Sequence, residues 1–202
     1  MSKKLLVATH NQGKVAEFAE MLADLQVEWL SLADIGLGQE TAVAETELTF
    51  VGNAILKARV YAQQTGLLTL ADDSGLEVDA LDGAPGIYTA RYGGSELTHV
   101  ERYQFLLQNM HDIPWEKRTA RFRCVIVLAN PVGKILTTAA GSCEGMIALE
   151  PAGNGGFGYD PIFYLPGREQ TMAQVDTAVK HQISHRGQAL YALAPKLKDL
   201  FA

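Results

Sequence analysis

Two adjacent carboxylates, Asp72 and Asp73, follow the run Leu68-Thr69-Leu70-Ala71 and lead into Ser74 and Gly75. The run predicts a buried strand that stops where the aspartates emerge, with Gly75 making the turn. In open α/β sheets, ligands bind in the crevice beyond such strand ends. Neighbouring carboxylates repel each other and lose hydration in a cleft, so the pair requires a neutralising cation or a shared proton. Oxygen ligands of this kind suit Mg²⁺, which is held by one or two carboxylates plus substrate phosphates. An Asx-type turn with both carboxylates in water explains the same residues without a ligand.

A second chemical stretch is Thr9-His10-Asn11-Gln12-Gly13-Lys14, between the short apolar run Lys4 to Ala8 and a helical pattern through Val15, Phe18, Ala19, Leu22 and Leu25. A strand, a polar glycine-containing loop and then a helix offer backbone N–H groups and a positive dipole end to an anion. The Walker spacing GxxxxGK[ST] is absent, and an ordinary βα turn capped by Asn11 fits equally. Lys14 in the first helical turn opposes the dipole, which an anion would relieve.

Two later stretches add donors. Glu150 to Pro161 carries four glycines around Phe157, Tyr159 and Asp160. Such density lets backbone approach a ligand closely, and Phe157 is either a core anchor or a stacking platform. Lys180-His181-Gln182-Ile183-Ser184-His185-Arg186-Gly187 sets cationic and donor side chains around Ser184 before a last helix containing Pro195, where a kink or restart is expected. Glu45 lies just ahead of a helix capped by Thr49 and ended by Gly66, within reach of a metal or simply in solvent. Arg91 suits a phosphate or an acidic partner.

The elements that must position these residues alternate between strand and helix. Val27 to Ser31 reads as a second strand, and Leu76 to Val78 as a short one. Thr98-His99-Val100-Glu101 reads as a capping box opening a structural helix. Arg121 to Ala129 and Lys134 to Glu144 flank Asn130-Pro131-Val132-Gly133 as a hairpin whose imperfect alternation predicts cover on both faces. No repeats or linkers interrupt the chain, so the expectation is one continuous α/β domain over residues 1–202.

Composition excludes several classes. The 202 residues are 48% hydrophobic and 20% charged, as in ordinary globular proteins. No apolar run approaches the roughly 20 residues that span a bilayer. The N-terminal apolar run is too short for a signal peptide, and a cytoplasmic location is expected. A formal net charge of −6 without a basic block argues against nucleic acid as a partner. Cys124 and Cys143, far apart and in apolar surroundings, read as buried thiols.

Together the segments resemble the inosine-triphosphate (dITP/XTP) pyrophosphatase family along nearly the whole chain. The resemblance rests on Thr9-x-Asn11-x-x-Lys14, Glu45-Thr46 with Thr49-Phe50, Asn53-Ala54 with Lys57-Ala58, and Ala71-Asp72-Asp73-Ser74-Gly75-Leu76. It continues through Gly83-Ala84-Pro85-Gly86, Ala90-Arg91-Tyr92, Gly156-Phe157-Gly158-Tyr159-Asp160-Pro161 and Ser184-His185-Arg186. It implies an α/β fold with an elongated mixed β-sheet flanked by helices, two lobes and an active-site cleft between them. It also implies a Mg²⁺-dependent homodimer that converts ITP, dITP, XTP and dXTP to the monophosphate and pyrophosphate.

Carried over by position, Thr9, His10, Asn11, Gln12, Gly13 and Lys14 hold the triphosphate. Asp73 is the catalytic carboxylate and a metal ligand, with Glu45 and Asp72 as further metal candidates. Ser74, Phe157, Gly158, Tyr159, Asp160, Lys180, His185 and Arg186 match nucleotide-contacting positions. Arg186, with His185, suits the O6 acceptor that distinguishes these bases from adenine.

Three residues depart from the family pattern. His10 stands for a glycine, Glu47 for a glycine after Glu45-Thr46, and Gly52 for an acidic residue before Asn53. Two other readings remain: a purine-nucleotide sensor without catalysis, and a pyrophosphatase for a different nucleotide pool.

Overall fold

The computed structural model describes residues 3–201. A mixed seven-stranded sheet runs in the order β2-β1-β3-β4-β5-β6-β7. Its strands are β1 (Lys3–Val7), β2 (Val27–Leu30), β3 (Leu68–Val78), β4 (Thr119–Ala129), β5 (Ile135–Ile147), β6 (Phe163–Leu165) and β7 (Gln170–Thr171). Strand β1 pairs in parallel with β2 and β3, whereas β6 pairs antiparallel with β5 and β7.

The helices are α1 (Gln12–Met21), α2 (Phe50–Thr65), α3 (His99–Asn109), α4 (Thr177–Ile183) and α5 (His185–Phe201). The chain divides into two compact units. One holds the residues up to Asp73, Cys124–Gly141 and those from Arg186 onward; the other holds Ser74–Arg123 and Ser142–His185.

In the first unit, period-2 alternation explains the layering. Leu5, Val7, Leu70, Cys124, Ile126 and Leu128 form one core with Val15, Phe18 and Leu22 of the α1 region and Ala189, Leu190, Leu193 and Leu197 of α5. Their strand neighbours Leu6, Ala8, Ala71, Val127 and Ala129 form another with Ala54, Ala58, Tyr61 and Ala62 of α2. Both sheet faces are therefore covered, as the unbroken apolar runs predict.

The second unit has a core of its own. Leu76, Val78, Ala120, Phe122, Ile147 and Phe163 pack with Leu106 and Met110 at the end of α3. The buried Arg118 guanidinium donates to the carbonyls of Met110, Ile113, Ile147 and Ala148, joining strand ends to the α3 turn.

Local signals placed the helix ends well. Asn11 caps α1, Thr49 caps α2 with Gly66 left-handed at its end, and Thr98 with Glu101 forms the capping box of α3. Asn130 to Lys134 closes the turn between β4 and β5.

Three expectations need correction. Strand β3 does not stop at the aspartates: it runs on through Ser74 and Gly75, because Leu76 and Val78 resume the apolar alternation in the second unit's core. Gly75 therefore makes no turn, and Leu76 to Val78 is no separate strand. Helix α5 continues through Pro195 without a restart. The carbonyl that loses its donor there belongs to Tyr191, a half-exposed residue where water can replace the missing N–H.

Phe18 fixes α1 against the first core and is fully buried. Phe18→Ala is expected to lower the unfolding free energy by about 3–5 kcal/mol, measured by urea denaturation.

Candidate active site

The alternation that layers the first unit also separates the two aspartates. As neighbours on β3, Asp72 and Asp73 point to opposite faces of the strand. Asp72 shares the parity of Leu70 and meets the α1 and α5 side; Asp73 shares that of Ala71 and meets α2. They are not one pair sharing a cation. Each has its own.

Asp72 is 3% exposed and accepts from Lys14 Nζ at 3.1 and 2.8 Å. Arg186 Nη2 lies 3.7 Å away, and Arg186 Nη1 donates to Glu17 at 2.8 Å. Burial opposes the charge on Asp72, but Lys14, Arg186 and Lys57 outweigh it and hold the carboxyl well below its usual range. The predicted phosphate lysine, the candidate metal carboxylate and the predicted base-reading arginine are thus joined in one buried network. Arg186 is itself 3% exposed, so its guanidinium is part of the first unit's interior.

Asp73 is held differently. Lys57 Nζ donates to Asp73 Oδ1 at 2.8 Å and to Glu45 Oε1 at 2.8 Å. Asn53, fully buried, donates to Asp73 Oδ2 at 3.4 Å and accepts from the Glu47 amide at 3.0 Å. Burial pushes the Asp73 carboxyl up to about 6; the charges of Glu45 and Asp72 add to this, and Lys57 opposes it. Burial disfavours the Lys57 ammonium, yet Asp73, Asp72 and Glu45 hold it charged beyond its usual range.

The loop after β1 is built by short local bonds. Thr9 Oγ1 accepts from the Asn11 amide at 3.1 Å, and Asn11 Oδ1 accepts from the Lys14 amide at 3.3 Å. Gln12 reaches the buried Ser31 hydroxyl at 3.0 Å, tying the helix start to the end of β2. His10 Nε2 is buried with no hydrogen-bond partner among the described residues. A Cβ at Gly13 would press on Asn11 Oδ1, so glycine keeps the cap clear. A cavity of about 190 Å³ lies beside the loop. Thr9, His10, Lys14, Glu45, Lys57 and Asp72 line it, so the loop faces the same space as Glu45 and Asp72.

Two departures from the family pattern are a single packing event. A Cβ at Gly52 would fall 2.8 Å from Glu47 Cβ, so the side chain at 47 requires its absence at 52.

The second unit gathers its own predicted residues. Asp160 Oδ2 accepts from Lys180 Nζ at 2.7 Å and from the Phe157 amide at 2.8 Å. Lys180 Nζ also lies 5.1 Å from the centre of the Phe157 ring, a cation–π approach. Phe157 is 37% exposed, so it is not the core anchor that one reading expected. A Cβ at Gly156 would collide with the Asp160 carboxylate, and Gly156 and Gly158 have positive φ of 71° and 64°. Tyr159 is buried, and its hydroxyl donates to the Thr89 carbonyl at 3.0 Å. His185 is buried and stacks on Phe122 at 4.7 Å. Ser74 is the half-buried residue that follows Asp73 on β3.

The sequence reading omitted Lys57, Asn53 and Glu17 from the site. Asn53 and Lys57 are one turn apart on α2, beside Ala54 and Ala58, so they stand on its small, buried face. Glu17 is one turn after Lys14. In each case the signal was a polar residue at helical spacing from a residue already singled out.

The chain is thus an α/β protein whose covered sheet sets a polar βα loop, Glu45 and Asp72 around one cavity. The chain belongs to the Ham1 family, whose model matches residues 5–196. It is 51% identical over 199 residues to a dITP/XTP pyrophosphatase of Desulforamulus reducens, covering 98% of this chain and 97% of that one. It is 48% identical over 198 residues to a dITP/XTP pyrophosphatase of Shigella flexneri, with 98% and 99% covered. A solved HAM1 protein structure from Coxiella burnetii superposes with a TM-score of 0.88 at 43% identity, covering 98% of this chain and 99% of that one.

The raised Asp73 pKa has a sign that can be tested. The folded protein binds a proton at Asp73 more tightly than the unfolded chain, whose carboxyl titrates near 3.8. Ionising Asp73 therefore lowers stability as pH rises from about 4 to about 6. In metal-free protein Asp73→Asn is expected to add on the order of 2 kcal/mol above pH 6. The gain should shrink through that window and vanish below it, as read by thermal melting across pH.

Proposed function

We propose that this chain hydrolyses non-standard purine nucleoside triphosphates, ITP, dITP, XTP and dXTP, to the monophosphate and pyrophosphate. The observation that carries the reading is the cavity shared by Thr9, His10 and Lys14 with Glu45, Lys57 and Asp72. Membership of a family with relatives named dITP/XTP pyrophosphatase supports the substrate class.

In this reading the Thr9-to-Lys14 loop binds the polyphosphate through backbone N–H groups at the start of α1 and the Lys14 ammonium. Lys14 then exchanges its bonds to Asp72 for phosphate oxygens, and Arg186 remains to neutralise Asp72. Asp73 orients water for attack on the α-phosphorus and accepts its proton; a carboxyl near 6 is better poised as a base than an ordinary aspartate. Lys14 and the loop amides offset the charge that grows on the leaving pyrophosphate.

The donor chemistry fits Mg²⁺. Asp73 and Glu45 each bring a hard oxygen to one position, and a divalent ion commonly takes one or two carboxylates plus substrate phosphates. When bound there it supplies Lewis-acid neutralisation of the phosphates. Asp72, committed to Lys14 and Arg186, is the weaker candidate.

For the second unit, the proposed nucleotide contacts are Ser74, Phe157, Gly158, Asp160, Lys180 and His185. Tyr159 supports them through its bond to Thr89. Phe157 offers a stacking face, and Arg186 with His185 is assigned to the base O6. The reading extends to one catalytic domain over the whole chain, acting as a cytoplasmic homodimer. Among the described residues no helix is long and apolar enough to cross a membrane.

The direct test is product analysis with Mg²⁺ and ITP, XTP, GTP, ATP and dUTP in parallel. Monophosphate and pyrophosphate from ITP and XTP are expected, with ATP and GTP nearly untouched; diphosphate plus orthophosphate would overturn the site of attack. Asp73→Asn should retain nucleotide binding and lose turnover by roughly 10²–10⁴-fold. Arg186→Lys keeps a cation for Asp72 and Glu17. It should narrow the preference for ITP over ATP by about tenfold or more, and an unchanged ratio would move base selection elsewhere.

A further inference from the structure

Lys57 occupies the position that the proposed metal ligands would offer to a cation. Its ammonium lies 2.8 Å from both Glu45 and Asp73, and its side chain is 13% exposed. Both carboxylates are partly desolvated, with side-chain exposures of 26% and 9%. The remaining Asp73 oxygen is engaged by Asn53. Mg²⁺ binds oxygen at about 2.0–2.1 Å and demands near-octahedral geometry. A dication that close to the same two oxygens repels an ammonium between them. The ion and Lys57 therefore exclude each other.

Excluding Lys57 has a cost unless it finds another anion, because a largely buried ammonium taken from two partly desolvated carboxylates is left uncompensated. Lys57 and Lys14 both line the cavity beside the Thr9-to-Lys14 loop. A polyphosphate in that space gives Lys57 a new partner and gives the metal its missing oxygens. The protein's own ligand set is short: among the described residues no three His, Cys, Asp or Glu side chains gather to hold an ion.

We propose that Lys57 is an internal counter-cation that keeps the Glu45–Asp73 position closed to divalent metal until a polyphosphate arrives, so that metal and nucleotide bind cooperatively. The inference rests on the reading of Glu45 and Asp73 as metal ligands. Lys57 is here a positioning residue that acts through those carboxylates. Coupling of this kind is reciprocal: nucleotide raises metal affinity by the factor by which metal raises nucleotide affinity. The nucleotide-free protein would then remain largely metal-free, and the effective ligand would be the metal–nucleotide complex.

The test uses Mn²⁺ as probe on the full chain, with bound ion read from the loss of the free-ion electron paramagnetic resonance signal. Wild-type protein should bind Mn²⁺ weakly alone, and at least about tenfold more tightly with an α,β-methylene analogue of ITP. Lys57→Met should bind Mn²⁺ alone about tenfold more tightly than wild type, with a smaller response to the analogue. Lys57→Gln, which keeps a hydrogen-bonding head without charge, should behave likewise and serves if the Met variant does not fold.

A folded neutral variant that binds Mn²⁺ no more tightly than wild type overturns the proposal. So does wild-type affinity unchanged by the analogue, a result that needs no variant. Failure of the underlying metal reading looks different: Mn²⁺ binding with the analogue would be absent, or unaffected by Asp73→Asn and Glu45→Gln.

Discussion

Successive side chains on a β-strand must point to opposite faces, and in β3 that constraint falls between two aspartates. Because helices cover both faces of the sheet in the first unit, each carboxylate enters a different, largely dry environment. Each must then be neutralised from its own side. Asp72 draws in Lys14 and Arg186, and Asp73 draws in Lys57 and Asn53. The starts of α1, α2 and α5 are tied to the same strand by these bonds.

The neutralising partners differ in what they leave available. Asp72 has two cations, and its carboxyl is held far below the usual range. Asp73 shares one ammonium with Glu45, and burial raises its pKa despite that ammonium. Neighbouring residues of the same type thus acquire different chemistry from their surroundings: one is a fixed anion that anchors cations, the other a strained one suited to accept a proton or an ion. The departures at Glu47 and Gly52 sit at the edge of this arrangement, where Glu47 bonds Asn53 through its backbone.

The second unit meets a similar demand with a loop. Asp160 accepts from the Phe157 amide and from Lys180, so one buried carboxylate sets both the loop conformation and the lysine that approaches its aromatic ring. Gly156 is required because any Cβ would meet that carboxylate. The glycine density of this stretch therefore follows from packing around Asp160 as much as from access for a ligand.

What the sequence determined by itself was local. Caps at Asn11, Thr49 and Thr98, the helix stop at Gly66 and the apolar periods are set by neighbours within a few residues, and the structure has them all. The family motifs likewise named most residues of both clusters before any distance was known. Partnership needed the tertiary structure, because it depends on residues far apart in the chain. Lys14 meets Asp72 across 58 positions, and Glu17 meets Arg186 across 169. Lys57 shows the limit most clearly: its motif names the residue but no partner, and only packing of α2 against β3 makes it the cation between Glu45 and Asp73. The continuation of β3 past Gly75 was hidden for the same reason, since it depends on a second core that receives Leu76 and Val78.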